Sequence, residues 1–275
     1  MIQNRPRIVI FTDLDGTLLD RVTYSYDKAL PSIEYLRQTE IPLVFCSAKT
    51  RAEQEVYQHK LAVFHPFIVE NGGAIFVPRD YFPFPFNYHR TVGDFSVIEL
   101  GTPYERIRQL LGKVKKEGNF HFRGFGDMSV EEVAEETSLD IELAGLAKQR
   151  EYDETVKFDV TGEEVDRALE EIKRAGLNYA HGGHFHDVMG ANDKGKAAVI
   201  LSDLYRRLWG EIKTVGLGDS LNDLPMLSVV DIPVLVQKRD RTWEDISLPR
   251  LRKVHGVGSE GWNKAVKEII SAETN

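Results

Sequence analysis

The sequence predicts an α/β fold: a doubly wound, Rossmann-like parallel sheet with an inserted α+β cap domain. Short apolar runs alternate with helix-like segments near the beginning of the chain and again after residue 190, as they do in the βαβ units of a parallel sheet. Acidic residues and glycines follow two of these runs, at the strand ends where open α/β sheets bind ligands. Residues 84–189 have a different, mixed pattern, which indicates a separate unit.

The beginning of the chain predicts alternating strands and helices. Apolar runs predict strands at 8–12, 43–46 and 67–69. Helix-like segments at 27–38 and 47–60 separate these strands. Because a helix lies between successive strands, we expect the strands to be parallel neighbours in one sheet.

A run of aromatic residues and prolines, Tyr-Phe-Pro-Phe-Pro-Phe at 81–86, interrupts this alternation. Proline fixes φ and has no backbone N–H, so prolines at alternate positions exclude a helix or a central strand. We therefore predict a stiff hinge, with its aromatic side chains packed over a joint between two domains. On this basis residues 1–83 and 190–275 form the core domain, and residues 84–189 form the cap.

The predicted cap contains helices and strands in irregular order. Helices are predicted at 103–117, 139–148 and 163–175, and strands at 119–125, 155–160 and 179–189. Helices on one face of an antiparallel sheet would give an α+β arrangement.

The α/β pattern returns after the cap, with a helix at 194–209 and a strand at 212–217. A further helix is predicted to begin near Asn222, because Pro225 is tolerated in a first helical turn. Residues 237–254 show weak periodicity and are predicted to be a loop with short elements.

Composition excludes several classes of protein. The 275 residues carry a net charge of −8, and such an acidic surface argues against general nucleic-acid binding, which needs a basic face. No apolar stretch approaches the roughly 20 residues that span a bilayer, and the apolar run at 8–11 is too short for a signal peptide. The single cysteine, Cys46, is predicted to be a buried structural thiol. We therefore expect a cytoplasmic protein without a membrane partner, and its oligomeric state is left open.

Two aspartates, Asp13 and Asp15, follow the first predicted strand and come just before a turn at Gly16. Carboxylates this close repel each other unless a cation or a proton lies between them. A carboxylate can also attack phosphorus and form an aspartyl-phosphate, which divides hydrolysis into two easier steps. We predict that Asp13 is this nucleophile and that Asp15 is the general acid for the leaving group and then the general base for water.

A second acidic segment, Gly-Asp-Ser-Leu-Asn-Asp at 218–223, follows a later strand. Mg²⁺ prefers oxygen ligands in near-octahedral geometry. The predicted ligands are the carboxylates of Asp13 and Asp219 and the backbone carbonyl of Asp15. These residues predict a magnesium-dependent site for phosphoryl transfer.

Further polar groups are predicted to support this site. Asp223 and Asn222 are placed behind the metal ligands, where Asp223 can hold a metal-bound water. Ser47 follows the second strand, so its hydroxyl can bind a phosphoryl oxygen. Lys194 precedes a helix and can neutralise the transferring phosphoryl group, with Lys196 as the alternative lysine. The Asp-x-Asp pair and the lysine are weak signals alone and the Gly-Asp-x-x-Asn-Asp segment is a moderate one, but all of them occur in order at predicted strand ends or helix starts.

These motifs resemble those of the haloacid dehalogenase superfamily of phosphohydrolases. An insert between the second and third motifs is typical of members with a large α/β cap, most of which act on phosphorylated sugars. Over nearly its whole length the chain is also similar to mannosyl-3-phosphoglycerate phosphatases. The segments that carry this similarity are Cys-Ser-Ala-Lys-Thr-Arg-Ala-Glu at 46–53, Glu-Asn-Gly-Gly at 70–73, Gly-Phe-Gly-Asp-Met at 124–128 and Arg-Glu-Tyr-Asp-Glu at 150–154.

The resemblance implies a substrate and its contacts. The reaction would remove phosphate from mannosyl-3-phosphoglycerate, and also from glucosyl-3-phosphoglycerate, to give a compatible solute such as mannosylglycerate. Arg150 suits the carboxylate of this small phosphorylated sugar-glycerate, and Lys49 is a candidate for its anionic groups. Relatives often carry an arginine where this chain has His184, so His184 is a candidate contact that would hold a carboxylate more weakly.

Other interpretations are open at this point. Another sugar-phosphate phosphatase, for example one for sucrose phosphate, would keep the core residues and differ in the cap. A sugar phosphomutase would use the same aspartyl-phosphate, and a phospho-acceptor sensor would keep a long-lived one. Arg150 can alternatively form a salt bridge with nearby carboxylates. His181, His184 and His186 can suggest zinc, but we predict instead that they form a polar cap face over the substrate.

Overall fold

The computed structural model describes residues 6–182 and 185–274, which contain three sheets and the helices that cover them. The strands are β1 (Arg7–Thr12), β2 (Leu43–Phe45), β3 (Phe67–Val69), β4 (Ala74–Pro78), β5 (Arg90–Val92), β6 (Phe95–Glu99), β7 (Phe122–Gly124), β8 (Asp153–Phe158), β9 (Asn178–Gly182), β10 (Phe185–Met189), β11 (Ile212–Gly218), β12 (Ile232–Gln237) and β13 (Arg252–Val257). The α-helices are α1 (Leu30–Gln38), α2 (Arg51–Leu61), α3 (Tyr104–Gly118), α4 (Val130–Thr137), α5 (Ile141–Ala147), α6 (Glu163–Arg174), α7 (Lys194–Trp209), α8 (Leu224–Val229) and α9 (Ser259–Thr274).

Five parallel strands form the central sheet, in the order β13-β12-β11-β1-β2. Helices α1 and α9 cover one face, where Ile33 and Trp262 are buried. Helices α7 and α8 cover the other face, where Tyr205 and Leu227 are buried. This is the doubly wound α/β core that the sequence predicted. It brings the carboxyl ends of β1, β2 and β11 to one edge, where such sheets bind ligands.

A short antiparallel sheet, in the order β3-β4-β6-β5, continues from the edge of the parallel sheet. A bridge between Cys46, which is buried, and Ile68 joins the two sheets. The predicted boundary between residues 83 and 84 falls within this sheet, because β5 and β6 pair with β4. We therefore propose that the cap begins after β6.

The aromatic run at 81–86 contains no helix or strand, as its prolines predict. Its packing differs from the prediction. Phe82 is buried against Tyr205 of α7, with ring centroids 5.3 Å apart, and Tyr81 shares a hydrogen bond of 2.9 Å with the Tyr205 hydroxyl. The expected packing over a joint between core and cap is wrong, because these rings complete the core beneath α7.

The cap contains one antiparallel sheet, in the order β7-β8-β10-β9. Helices α3 and α6 pack on one face around Ile107, Val156 and Ile172, which is the predicted α+β arrangement. Two details differ from the sequence prediction: the strand at 179–189 is two paired strands, β9 and β10, and the additional helix α4 packs with α5 around Val133. Within the described ranges, every helix is too short or too polar to cross a bilayer.

Candidate active site

A cavity of about 510 Å³ lies between the carboxyl edge of the parallel sheet and the cap. Asp13 reaches it directly after β1, and its backbone N–H donates to the carbonyl oxygen of Leu217 in β11 at 2.9 Å. The core side of the lining includes Asp13, Asp15, Arg21, Tyr24, Ser47, Lys49, Ser220 and Asn222. The cap side includes Phe125, Arg150, Thr155, Phe185 and Asp187. The strand ends and the cap therefore enclose one polar chamber, which we call the catalytic cavity.

Lys194 is the first residue of α7 and is fully buried. Its Nζ lies 2.7 Å from Asp13 Oδ1 and 2.7 Å from Asp223 Oδ1. Burial alone would lower the pKa of Lys194, but these two carboxylates raise it, so the side chain stays cationic. Lys196 is exposed and pairs with Asp193 at 3.2 Å. Lys194, rather than Lys196, is thus the lysine beside Asp13.

Both carboxylate oxygens of Asp223 already have partners. Oδ1 accepts from Lys194, and Oδ2 accepts from the backbone N–H groups of Asp219 and Ser220 at 3.0 and 3.2 Å. Residues 221–223 form a turn of 3-10 helix before α8, which agrees with the helix start predicted near Asn222. Asp223 therefore fixes both the lysine and the loop that carries Asp219.

The carboxylates form a cluster that fits a hard cation. One oxygen each of Asp13, Asp219 and Asp223 lies within 4.8 Å of the others. Burial, followed by the negative charges of Asp223 and Asp13, raises the pKa of Asp219 to about 8. The contacts of Asp219 with Thr17 and Arg21 are long, at 3.5 and 3.4 Å. Lys194 contacts two of these three carboxylates, so the cluster still has more acidic groups than the single buried lysine can balance. An all-oxygen donor set of this kind suits Mg²⁺.

Asp15 is partly exposed beside this cluster and pairs with Lys49. Lys49 Nζ lies 3.0 Å from Asp15 Oδ2 and 3.1 Å from Glu53 Oε1. Burial raises the pKa of Asp15, Lys49 opposes this shift, and Asp13 adds to it. The other oxygen, Asp15 Oδ1, is shielded from solvent and has no hydrogen-bond partner among the described residues. Asp15 thus presents an oxygen that is free to exchange a proton.

Local capping fixes the segment that carries Ser47 and Lys49. Thr50 and Glu53 form a capping box at the start of α2: Thr50 Oγ1 accepts from the Glu53 N–H at 3.2 Å, and Glu53 Oε2 accepts from the Thr50 N–H at 3.0 Å. Ser47 is buried, and its Oγ accepts from the Lys49 N–H at 3.3 Å. The Thr-x-x-Glu pattern at 50–53 therefore positions both residues at the cavity.

Arg150 extends from the cap to the core. Its Nη1 donates to the carbonyl oxygen of Ala48 at 3.0 Å and to Asp153 Oδ1 at 2.6 Å. Its Nε donates to the carbonyl oxygen of Ala147 at 3.0 Å. The side chain also lines the catalytic cavity. Arg150 thus combines contacts between cap and core with a place in the lining of the catalytic cavity.

The structure adds residues to which the sequence prediction assigned no role. Asn71 Nδ2 donates to Asp187 Oδ2 at 3.1 Å and to Asp153 Oδ2 at 3.4 Å. Asn71 Oδ1 accepts from Asn222 Nδ2 at 3.3 Å, and Thr155 Oγ1 donates to Asp187 Oδ1 at 2.8 Å. This network joins the two acidic cap strands to the loop after β11.

Signals for these residues were present in the sequence. Asn71 lies in the Glu-Asn-Gly-Gly segment at 70–73. Asp187 shares a face of β10 with Phe185, since alternate residues of a strand point the same way, and both line the cavity. His186 lies on the opposite face, against the rings of Phe158 and Tyr179. Its predicted place over the substrate is therefore wrong.

The described part of the chain contains nearly all the predicted site residues. The structure brings Asp13, Asp15, Ser47, Lys49, Arg150, Lys194, Asp219, Asn222 and Asp223 together at the catalytic cavity. His184 lies outside the described residues. The only group of metal-ligating side chains found among the described residues is Asp13, Asp219 and Asp223, so the alternative zinc interpretation gains no support.

Comparisons with known proteins agree with this geometry. Residues 10–82 match the family of haloacid dehalogenase-like hydrolases. A glucosyl-3-phosphoglycerate/mannosyl-3-phosphoglycerate phosphatase of Methanococcoides burtonii is 49% identical over 97% of this chain and 98% of its own length. The chain belongs to the haloacid dehalogenase-like phosphatases. It is therefore a phosphoric monoester hydrolase, and the predicted family resemblance is confirmed.

The chain is also similar to a second phosphatase and to a solved structure. A mannosyl-3-phosphoglycerate phosphatase of Pyrococcus horikoshii is 43% identical over 83% of this chain and 90% of its own. A crystal structure from Thermoplasma acidophilum has a TM-score of 0.67 at 19% identity and covers 97% of this chain and 99% of its own. At that identity the structural similarity supports the fold alone.

Proposed function

We propose that this phosphatase hydrolyses mannosyl-3-phosphoglycerate and glucosyl-3-phosphoglycerate, in the cytoplasm, to inorganic phosphate and the corresponding sugar-glycerate, a compatible solute. The observation that carries the proposal is the identity of 49% to a phosphatase named for these two compounds, over nearly the whole of both chains. The match includes the cap, which selects the leaving group. The pairing of Asp13 with Lys194 supports the chemistry.

Asp13 would attack phosphorus with Oδ2, because Lys194 holds Oδ1 at 2.7 Å. Burial raises the pKa of Asp13, and the charge of Lys194 opposes this rise and so favours the ionised nucleophile. The bond from phosphorus to the glycerate oxygen breaks, and Asp15 donates its proton to that oxygen. Asp15 then accepts a proton from water, which attacks the aspartyl-phosphate and releases inorganic phosphate and Asp13. The unpartnered Asp15 Oδ1 supports this double role. The Ser47 hydroxyl would donate to a transferring oxygen.

Magnesium fits beside these residues. The carboxylates of Asp13 and Asp219 and the backbone carbonyl of Asp15 would hold it, with Asp223 and Asn222 behind them. When bound, the ion would neutralise negative charge on the transferring phosphoryl oxygens. Gly16 leaves the space for Asp219 to approach, since a Cβ at residue 16 would lie 2.5 Å from Asp219 Oδ2.

The cap would recognise the sugar-glycerate. Arg150 and Lys49 supply positive charge for its carboxylate, and His184 is a further candidate. Asp187 and Thr155 offer hydrogen bonds to sugar hydroxyls from the roof of the catalytic cavity. The cap residues among them, together with Lys49 of the core, would determine which phosphate ester is hydrolysed.

The deciding experiment is phosphate release with magnesium from mannosyl-3-phosphoglycerate, glucosyl-3-phosphoglycerate, sucrose phosphate and simple hexose phosphates. We expect kcat/KM for the two glycerate compounds to exceed that for the others by at least a hundredfold. Equal or greater activity on plain sugar phosphates would contradict the substrate proposal and leave the phosphatase chemistry intact.

Substitution of the nucleophile tests the mechanism. Asp13→Asn should abolish turnover, because an amide cannot form the acyl-phosphate, whereas its oxygen can still accept from Lys194 and preserve the fold. The matched control is Asp94→Asn, which changes a carboxylate that is 94% exposed and should leave activity unchanged. Substantial phosphate release by Asp13→Asn would exclude Asp13 as the nucleophile.

A further inference from the structure

A second cavity, of about 600 Å³, opens on the core domain next to the loop that follows β1. Its walls are residues 20–28, the turn after β12 and the beginning of α9. The charged residues that line it are Asp20, Lys28, Arg239, Arg241, Glu260 and Lys264, and His255 lies among them. In a chain with a net charge of −8, this concentration of lysine and arginine is unusual. We call it the basic cavity.

The two carboxylates of the basic cavity are already bonded. Asp20 Oδ1 accepts from the backbone N–H groups of Val22 and Thr23 at 3.0 and 2.8 Å. Glu260 Oε2 lies 2.6 Å from Lys28 Nζ. In the ranges that the structure describes, Arg239, Arg241 and Lys264 form no salt bridge within 4.0 Å. From a longer distance, Arg239 helps to lower the pKa of Asp20, and Arg241 and Lys264 help to lower the pKa of Glu260. Three cations therefore face one cavity without an anionic partner in contact.

The hydroxyl of a largely buried residue, Ser259, points to the same ligand chemistry. Ser259 lines the basic cavity, is only 5% exposed, and its hydroxyl has no hydrogen-bond partner in the described part of the chain. It is also the first residue of α9, a helix of 16 residues, where backbone N–H groups have no partner within the helix. A phosphate-sized anion is bound by hydrogen-bond donors and positive charge. The basic cavity brings both together, because a hydroxyl, helix N–H groups and cations lie at one point.

The buried side chain of Gln237 fixes the turn that carries Arg239 and Arg241. Gln237 Nε2 donates to the carbonyl oxygen of Arg241 at 2.6 Å, and Gln237 Oε1 accepts from the Gly256 N–H at 2.8 Å. This pair of bonds ties the turn that carries Arg239 and Arg241 to the end of β13. The binding groups are therefore arranged before a ligand arrives, which reduces the entropy cost of binding.

We propose that the basic cavity binds a tetrahedral dianion such as phosphate, at a site separate from the catalytic cavity, and that its occupancy changes turnover. The loop at 20–25 connects the two sites. Asp20 lines the basic cavity, whereas Arg21 and Tyr24 line the catalytic cavity, and Arg21 Nη1 lies 3.4 Å from Asp219 Oδ2. An anion held beside Asp20 thus acts on this loop. The next residue of the loop, Arg21, contacts Asp219, which is a predicted metal ligand.

The test uses inorganic sulfate, which has the charge and shape of phosphate and is not a product of the enzyme. Binding is measured by calorimetry for the wild type, for Arg241→Gln/Lys264→Gln, and for the control Arg250→Gln/Lys267→Gln. The control removes the same two charges from exposed positions outside the basic cavity. We expect two sulfate sites in the wild type and the control. In the cavity variant we expect one of them to weaken at least tenfold.

Equal sulfate binding by all three proteins would overturn the proposal, as would equal weakening in both variants. Circular dichroism establishes that both variants are folded. Steady-state kinetics test separately whether an anion in the basic cavity changes turnover. Sulfate in the catalytic cavity competes with substrate and raises KM alone, whereas sulfate in the basic cavity should change kcat. This change should disappear in Arg241→Gln/Lys264→Gln, and a kcat that sulfate never alters would exclude the coupling.

Discussion

Gly16 lies closer to Asp219 than any residue with a Cβ can. Its φ is +87°, and an added Cβ would lie 2.5 Å from Asp219 Oδ2. Gly16→Ala should therefore displace Asp219 and lower kcat/KM by about a hundredfold, as a misplacement of about 1 Å in an active site does. The left-handed backbone adds a loss of about 1 kcal/mol in the free energy of unfolding.

A control variant separates the effect of the contact with Asp219 from the effect of the left-handed backbone conformation. Gly176 has a φ of +84°, and a Cβ there would have no atom within 4 Å. Gly176→Ala should show the same loss of stability in denaturant unfolding and unchanged phosphate release. Equal activity of the two alanine variants would mean that the close approach of Gly16 to Asp219 has no catalytic consequence.

Spacing predicted the core site residues because strand ends of a parallel sheet converge. Asp13, Ser47 and Asp219 each follow an apolar run, and the structure brings them to one edge. The spacing of residues in the sequence could not predict that Lys49 pairs with Asp15. It depends on where α2 begins and on which way its first turn faces, and the Thr50–Glu53 capping box decides both.

The connection between β3, the aromatic run and α7 rests on a chain of side-chain hydrogen bonds. His65 Nδ1 lies 2.7 Å from the Tyr81 hydroxyl, which in turn contacts the Tyr205 hydroxyl. Burial lowers the pKa of His65 from 6.5 to about 4. The unfolded chain therefore binds this proton more readily, and stability rises with pH across that interval.

A pH series tests this element. Between pH 6.5 and 4 the wild type should lose about 3 kcal/mol of unfolding free energy through His65. His65→Asn keeps a polar atom near the Nδ1 position and cannot titrate, so its loss over this interval should be smaller by that amount. The control is His59→Asn on the exposed side of α2, which should keep the wild-type slope. Parallel curves for all three proteins would contradict the prediction.

Elements with a strong local signal were predicted well, and several short ones were not. Helix α7 spans the predicted 194–209, because its amphipathic pattern is long and Asp193 caps it through the Lys196 N–H at 2.8 Å. Strands β5 and β6 were missed because their pairing with β4 follows a proline-rich segment that the sequence assigned to a hinge. Helix α4 has only 8 residues, too few for its periodicity to stand out.

At the scale of the whole molecule, the core and the cap meet at a buried polar junction. Glu70, which follows β3, is fully buried and accepts from the backbone N–H groups of Glu151, Tyr152 and Asp153 at 2.9, 2.7 and 2.9 Å. These residues lead into β8, beside Arg150. No local pattern reveals this contact, because its partners are about eighty residues apart and the junction forms only when both domains are folded.

Substitution at this junction should separate stability from catalysis. In Glu70→Gln a neutral amide oxygen replaces Oε2, and an N–H₂ group replaces Oε1, which accepts a second contact from the Glu151 N–H at 3.1 Å, so we expect a loss of about 1–3 kcal/mol in unfolding free energy. The 150–153 segment should also shift, and kcat/KM for phosphate release should fall about tenfold.

The matched control is Glu154→Gln, another buried glutamate, which bonds to Tyr104 and Arg108 within the cap. Glu154→Gln should lose a similar amount of stability, since it too weakens the bonds of a buried carboxylate. It should retain kcat/KM, because no contact of the junction between core and cap changes. If activity falls in proportion to stability in both variants, the junction does not position Arg150 for catalysis.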